Sequence, residues 1–339
     1  MDEKAVRKVF EAKRRPLSDP LIVHVVTTAE AFSLWDLQGP SSGRDMDAPE
    51  KALVALMEDF WPGPLTLIYK ANESVPSVVT AETGFVAARC PSHVIARQLI
   101  SLSKVPIAAP SANRFGHVSP TRAEHVMSDL GGENLWVVDP GESSDGKNIC
   151  AVGVESTVAK VEDGTVSILR HGAISPKDIE NCLTIAGLGN DFKVQICVRT
   201  TGEEVHNVAP GQTIKHYSPD VPSYIISQRK VQMQSLDKKE REILSKSVLL
   251  DFGQRLNWIK GSCLAYRDLS SAGSSSEAAM QVFDSLRWAE LVIGAERVFF
   301  PELIVADDDG EIITDDALIL AIKDRLTRAA SGVVVDTFQ

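Results

Sequence analysis

From residue 187 to 220 the chain loses any sustained apolar pattern and is punctuated by Gly187, Gly189, Gly202, Pro210, Gly211 and Pro219. A structureless stretch of this length is uncommon unless it has a function. It also cuts the 339 residues into two patterned parts, and a chain this long exceeds one ordinary core. The division reads as a first domain over residues 1–172, a linker over 173–221 and a second domain over 222–339.

In the first part, residues 2–14 place Ala5, Val6, Val9 and Phe10 on one helical face, and Pro16 ends the helix. Leu21–Val26 is a β-branched run of strand length. Helices are expected at 28–37, 50–60, 92–103 and 121–130, with a Gly/Ser/Asp-rich loop at 38–49. Short strands are expected at Leu65–Tyr69, Phe85–Ala88, Pro106–Ala109, Leu135–Val138, Val154–Val161 and Val166–Leu169. The fold class is mixed α/β.

Beyond 222 the pattern alternates: strand Tyr224–Ile226, helix near 236–246, strands Val248–Leu250 and Ser262–Tyr266, helix 275–293, strand Arg297–Phe299 and helix 314–330. Alternation of this kind predicts a small open parallel sheet.

Composition excludes several classes. No apolar run approaches the roughly 20 residues of a membrane helix, so no membrane partner is expected, and the acidic start Met1-Asp2-Glu3 is not a secretory signal. Five scattered cysteines, none in a CxxC pair, argue for a reducing compartment and against a thiolate metal site. Net charge is −11, with both halves acidic, unlike a body that wraps nucleic acid. The first fifteen residues are a local exception, with six Lys/Arg against three Asp/Glu.

Candidate site residues collect in four segments, 13–24, 89–121, 153–172 and 206–219, expected to build one polyanion-handling site. Lys13 and Arg15 end a helix, where cations are favoured by its dipole; the same cations suit an anionic ligand, and both readings stay open. His24 in a Val/Ile strand is either a satisfied core histidine or a site residue. Pro110-Ser111-Ala112-Asn113 follows a strand, and strand-end loops of small polar residues bind phosphate or sugar oxygens. Ser119-Pro120-Thr121 also reads as a helix start capped by Ser119 or Thr121. Arg89 ends a strand, as carboxylate clamps do. Glu155-Ser156-Thr157 interrupts an apolar strand with small polar groups, and Arg170 ends the next. An ordinary linker has no need of His216 beside Tyr217, so the connector is expected to dock. No P-loop, dinucleotide fingerprint, HExxH or GxSxG occurs.

In this order the segments closely resemble the threonylcarbamoyl-AMP synthase family in its long form, a YrdC-like catalytic domain joined by an ordered linker to a small Rossmann-like domain. The resemblance rests on Lys13-x-Arg15-Pro16, Pro20–His24, Trp61-Pro62-Gly63-Pro64-Leu65-Thr66, Arg89-Cys90-Pro91, Pro110–Asn113, Ser119-Pro120-Thr121, Glu155-Ser156-Thr157, Leu169-Arg170-His171-Gly172, Pro210-Gly211-Gln212 and His216-Tyr217-Ser218-Pro219. It implies a nucleotidyltransferase that makes threonylcarbamoyl-AMP and pyrophosphate from L-threonine, bicarbonate and ATP with Mg²⁺. The product feeds a downstream tRNA threonylcarbamoyl-transferase complex that forms threonylcarbamoyladenosine at tRNA position 37. By resemblance, Lys13 and Arg15 are catalytic. They bind ATP together with Pro110, Ser111, Asn113, Ser119, Arg170 and His216. His24, Arg89 and Ser156 bind threonine. Pro210, Gly211 and Tyr217 form a lid, and no side chain is a metal ligand.

Family members carry an earlier strand and a Thr-[Asp/Glu]-Thr-x-Tyr-Gly-Leu motif ahead of the first helix. Here Met1 leads directly into that helix, so the catalytic sheet is expected to lack a strand and the chain to be weak or inactive. The location expected is cytoplasmic, with a mitochondrial one left open. Two alternatives stand beside the synthase: a non-catalytic double-stranded-RNA-binding or ribosome-associated YrdC-like module, and an inactive truncated synthase.

Overall fold

The computed structural model describes residues 1–37, 45–139, 141, 152–202, 204–213, 216–303 and 314–339. Most of the expected 38–49 loop, together with Cys150 and Lys215, lies outside the described residues. The chain forms two compact units. The first comprises Met1–Ser111, Pro140–Ile149 and Glu155–Thr213; the second comprises Ala112–Asp139, Cys150–Val154 and Ile214–Gln339.

The first unit opens with α1 (Glu3–Lys13), whose N-cap Asp2 accepts from the Lys4 and Ala5 N–H groups. Arg14 ends it in the left-handed conformation at φ 53°. Then come β1 (Ile22–His24), α2 (Thr28–Leu34), α3 (Ala48–Phe60), β2 (Leu65–Lys70), α4 (Ser77–Thr80), β3 (Phe85–Arg89), α5 (Val94–Ser103) and β4 (Ile107–Ala108). After α6 (Ala123–Leu130), which belongs to the second unit, follow β5 (Thr157–Glu162), β6 (Thr165–Arg170), α7 (Pro176–Ile185) and β7 (Lys193–Ile196). The seven strands are ordered β4-β1-β3-β2-β5-β6-β7.

Side-chain alternation divides this sheet. One face sends Val23, Leu65, Leu67, Val86, Ala88, Ala159, Val161, Val166 and Ile168 into the main core. That core is completed by Val6 and Phe10 of α1, Leu53, Leu56 and Met57 of α3, and Ile179 and Leu183 of α7. The opposite face presents Ile22, Ile68, Ala87, Val158 and Leu169, and these pack on Ala209 of the connector, with Cys197 and Val208 against the cluster.

The first unit therefore runs past residue 172. The stretch after Gly172 holds α7, opened by a Ser175–Asp178 capping box with Pro176 in the first turn, and β7, which pairs in parallel with β6. Four expectations about single elements are corrected. Leu135–Val138 forms no strand: it pairs with no strand among the described residues, and Trp136 and Val138 are exposed. The strand expected from Val154 begins only at Thr157, opposite Leu65, the first residue of its partner β2. The strand expected at 262–266 lies at Ala265–Asp268, after a 3₁₀ turn at Asn257–Ser262. Arg122, not Ser119 or Thr121, is the N-cap of α6 and makes no side-chain cap bond; Thr121 instead meets His125 Nδ1 through its N–H and Oγ1, both at 3.2 Å.

In the second unit β8 (Ser223–Ile226), α8 (Gln228–Met233), α9 (Lys238–Leu244), β9 (Ser247–Asp251), β10 (Ala265–Asp268), α10 (Ser275–Leu291), β11 (Arg297–Pro301), α11 (Ala317–Ala329) and β12 (Val334–Val335) alternate as expected, with α8 and β12 added. All pairings in the order β10-β9-β11-β8-β12 are parallel. Both faces are covered, as parallel sheets require. Val248, Leu250, Val298 and Phe300 face α10 and α11, while Ile226, Leu249 and Phe299 pack with Val231 and Leu244 of α8 and α9. No helix among the described residues is long and apolar enough to cross a membrane.

Candidate active site

Strand register sets the geometry in the first unit. β1 and β3 are parallel, with His24 beside Arg89. β2 runs antiparallel to β3 and parallel to β5, with Leu65 beside Thr157. β6 returns antiparallel to β5 and brings Arg170 beside Val158. Five strands thus deliver His24, Arg89, Thr66, Ser156 and Arg170 to one end of the sheet. His24, Arg89, Thr66 and Ser156 share parity with Ile22, Ala87, Ile68 and Val158, so they extend the connector-covered face.

At that end Ser156 is held from two sides. Its Oγ lies 2.7 Å from Thr66 Oγ1 and accepts from Arg170 NH2 at 3.0 Å. The Arg170 guanidinium also donates to Ser156 O through Nε at 3.1 Å and NH2 at 3.0 Å. Ser156, Thr66 and Arg170 are all buried. Gly172 makes this approach feasible, since a Cβ there would lie 2.2 Å from Thr157 N and 2.7 Å from Glu155 O. Arg89 Nε donates to Gly63 O at 3.0 Å, which anchors the strand-end arginine to the loop before β2. His24 is half-buried, and its buried Nδ1 has no hydrogen-bond partner among the described residues. Burial, then the neighbouring Arg89 charge, lowers its pKa to about 4, so the ring is neutral near pH 7.

Lys13, Arg15, Pro110 and Ser111 lie toward the other end of β1. Antiparallel β4 carries the chain past Ile22, where Ala109 N–H donates to Ile22 O. Lys13 Nζ then donates to Ser111 O at 2.6 Å. Arg15 is buried and donates to Asp19 O at 3.0 Å and Pro20 O at 2.7 Å, with its NH2 3.0 Å from Asp19 Oδ2. Asp19, between Pro16 and Pro20, is wholly buried at the centre of this group. Burial raises its pKa, opposed by Arg15, the Gly211 N–H, Arg170 and Lys13. A three-residue strand spans roughly 10 Å, so the fields of both clusters meet at Asp19.

The connector docks here, as its composition led us to expect. Asn207 N–H donates to Ser18 O at 2.9 Å, Thr201 Oγ1 to Asn207 Oδ1 at 2.9 Å, and Ala209 N–H to Gln212 Oε1 at 3.3 Å. Pro210 and Gly211 are buried beyond Ala209. Thr66, Asn207 and Gln212 are missing from the sequence-based set; Thr66 and Gln212 stood inside motifs and were legible there, whereas Asn207 carried no signal.

The remaining expected residues belong to the second unit. Asn113 Nδ2 donates to Arg114 O and His117 O, both at 2.8 Å, folding the loop on itself. Ser119 is buried. His216 stacks edge-on to Tyr217 at 4.0 Å between ring centroids and lies 6.1 Å from Phe115. Tyr217, at φ 60°, is buried in that unit's core, 5.3 Å from the Phe283 ring with the Arg325 guanidinium 5.6 Å away. Tyr217, expected as part of a lid, has its ring in the core of the second unit.

Among known proteins, residues 1–172 match a family model described as telomere recombination, named for Sua5, YciO and YrdC. Residues 174–331 match the model of the threonylcarbamoyl-AMP synthase C-terminal domain. The chain is 32% identical to the threonylcarbamoyl-AMP synthase of Pyrococcus abyssi over 98% of its own length and 86% of the relative's. It is 34% identical to that of Bacillus subtilis over 98% and 85%. A crystal structure of P. abyssi Sua5 complexed with L-threonine superposes with a TM-score of 0.74 at 29% identity, covering 98% of this chain and 86% of that one.

Proposed function

This chain belongs to the threonylcarbamoyl-AMP synthase family, a nucleotidyltransferase-type enzyme family, and from that premise we propose how its own residues perform the synthesis. L-Threonine sits at the sheet end formed by His24, Arg89 and Ser156. Arg89 takes the carboxylate, because a guanidinium matches two carboxylate oxygens. Ser156, oriented by Thr66 and Arg170, meets the threonine hydroxyl side. Neutral His24 lines the pocket without adding charge.

ATP binds with its phosphates toward Lys13, Arg15 and Ser111, with Pro110 and Arg170 supplying the other nucleotide contacts of the first unit. The threonine nitrogen attacks the bicarbonate carbon, and loss of water leaves a carbamate. A carbamate oxygen attacks the α-phosphorus and the bond to pyrophosphate breaks. Lys13 and Arg15 stabilise the charge that develops on the phosphates. Mg²⁺ enters on the nucleotide as part of the substrate; the one carboxylate in this group, Asp19, is engaged by Arg15. Pro210 and Gly211, beside the docked connector, shield a hydrolysable intermediate from water. The product passes to the tRNA-modifying complex. The buried free thiols of Cys90 and Cys182 fit a reducing compartment, and we place the enzyme in the cytoplasm.

The observation that carries the residue assignments is Ser156, fixed by Thr66 and Arg170 on a polar sheet end next to Arg89. Pyrophosphate release, followed against threonine concentration, tests it. Ser156→Ala removes a hydroxyl bonded to a charged group, worth about 1.5–3 kcal/mol. The threonine KM is expected to rise roughly 10–100-fold with little change in the ATP KM. An unchanged threonine KM refutes the placement.

A further inference from the structure

The second unit contains a cluster that the synthesis does not use. His117 lies on the loop between β4 and α6, Asp220 on the segment before β8, and Glu290 in the last turn of α10. Segments far apart in sequence bring a ring nitrogen and two carboxylates together, with the offered atoms all within 4.8 Å of one another. His117 Nε2 is 3.0 Å from Glu290 Oε2, and Asp220 N–H donates to the same oxygen at 3.2 Å.

The second ring nitrogen is already committed. His117 Nδ1 lies 2.8 and 2.9 Å from the two oxygens of Asp129. The Asp129 carboxylate is wholly buried and is itself held by Arg287 NH2 at 2.9 Å. A buried carboxylate on Nδ1 fixes the tautomer that points the Nε2 lone pair outward, an arrangement that recurs behind metal-bound histidines. The charges agree: Asp129, Asp220 and Glu290 stand against Arg287, a deficit that a dication fills.

We propose that His117, Asp220 and Glu290 form a binding site for a divalent transition metal of the zinc class. One imidazole and two carboxylates suit Zn²⁺ or its neighbours better than Mg²⁺ or Ca²⁺, which take oxygen donors. His117 and Glu290 are half-buried and Asp220 is exposed, which leaves a coordination position for water and makes the ion exchangeable. The ion ties two segments to α10. One contains Asn113, whose side chain donates to the backbone of His117 itself, and the other begins with His216 and Tyr217. This site stands whether or not those residues bind nucleotide.

The test uses the full chain, stripped with a chelator and titrated with Zn²⁺ by calorimetry. One equivalent is expected to bind, with a matching rise in melting temperature. His117→Gln and Glu290→Gln are each expected to weaken binding at least about tenfold and to abolish the rise. Asp129→Asn, which touches no metal, is expected to cost roughly 10–100-fold through the histidine. Absence of saturable binding, or full affinity in folded His117→Gln, overturns the proposal and leaves the cluster an imidazolium bridge between carboxylates. Should the variants fail to fold, Co²⁺ in the unaltered chain decides: a contact-shifted imidazole N–H upholds the site and its absence sinks it.

Discussion

At the scale of single residues, the first unit places polar groups where their chemistry is controlled by burial. His24 is the sharpest case. Its folded pKa of about 4 lies below the 6.5 of an unfolded histidine, so the unfolded chain binds the extra proton between these values. Stability from this group is complete above pH 6.5 and is lost as pH falls toward 4, by roughly 3 kcal/mol. Urea unfolding across that window is expected to show the loss, and His24→Gln to remove that component. Gly172 is the second case. Alanine there drives its Cβ into the Ser156–Thr157 backbone, an overpacking that costs about 1–3 kcal/mol. Gly172→Ala is expected to lower the urea midpoint by that amount and to weaken threonine use with it. Asp19 shows what a sequence hides: nothing in Pro16-Leu17-Ser18-Asp19-Pro20 announces that the carboxylate turns inward to meet Arg15.

At the scale of elements, periodicity carried the α/β character, most strands and the parallel second sheet. It failed where elements are short or their partners distant. β7 is four residues with two exposed, so no apolar run marks it. α7 was announced by Ser175-Pro176-Lys177-Asp178, a capping box overlooked beside the glycines that follow. The connector contributes Ala209, with Cys197 and Val208 beside it, and otherwise docks through scattered polar bonds such as Asn207 N–H to Ser18 O and His206 Nδ1 to Ala81 O, which have no periodicity to read. Ala209→Asp puts an unpaired charge into that cluster, and burial of such a charge is prohibitive. The connector is expected to detach, with proteolytic cutting within 197–213 rising at least about tenfold while the rest of the unit stays folded. Equal protease resistance would show that docking does not depend on this contact.

At the scale of the molecule, two units of different sheet type share an acidic chain of net charge −11. That charge bears on the RNA-binding alternative. Affinity for nucleic acid is supplied mainly by cations on phosphates, and here 35 Lys and Arg are outnumbered by 46 Asp and Glu. Fluorescence anisotropy with double-stranded RNA at physiological salt is expected to show binding no tighter than the roughly 1–100 µM of non-specific contacts. Threonine-dependent pyrophosphate release from the same preparation is expected alongside it. The family was legible because its motifs fall at strand ends and loops in a fixed order; the contacts that hold them depend on long-range register and were not.

The brevity of β1 has a metrological consequence. Strand length changes only in whole residues, and each added residue turns every later side chain to the opposite face. One insertion between Ile22 and His24 would send His24 to the helix-packed side. The smallest tolerable change is a two-residue step of roughly 6.6 Å. The interval between the Lys13–Ser111 end and the His24–Arg89 end therefore has no fine adjustment. β1 is a gauge block, and reactants larger or smaller by a bond or two must be accommodated by side chains alone.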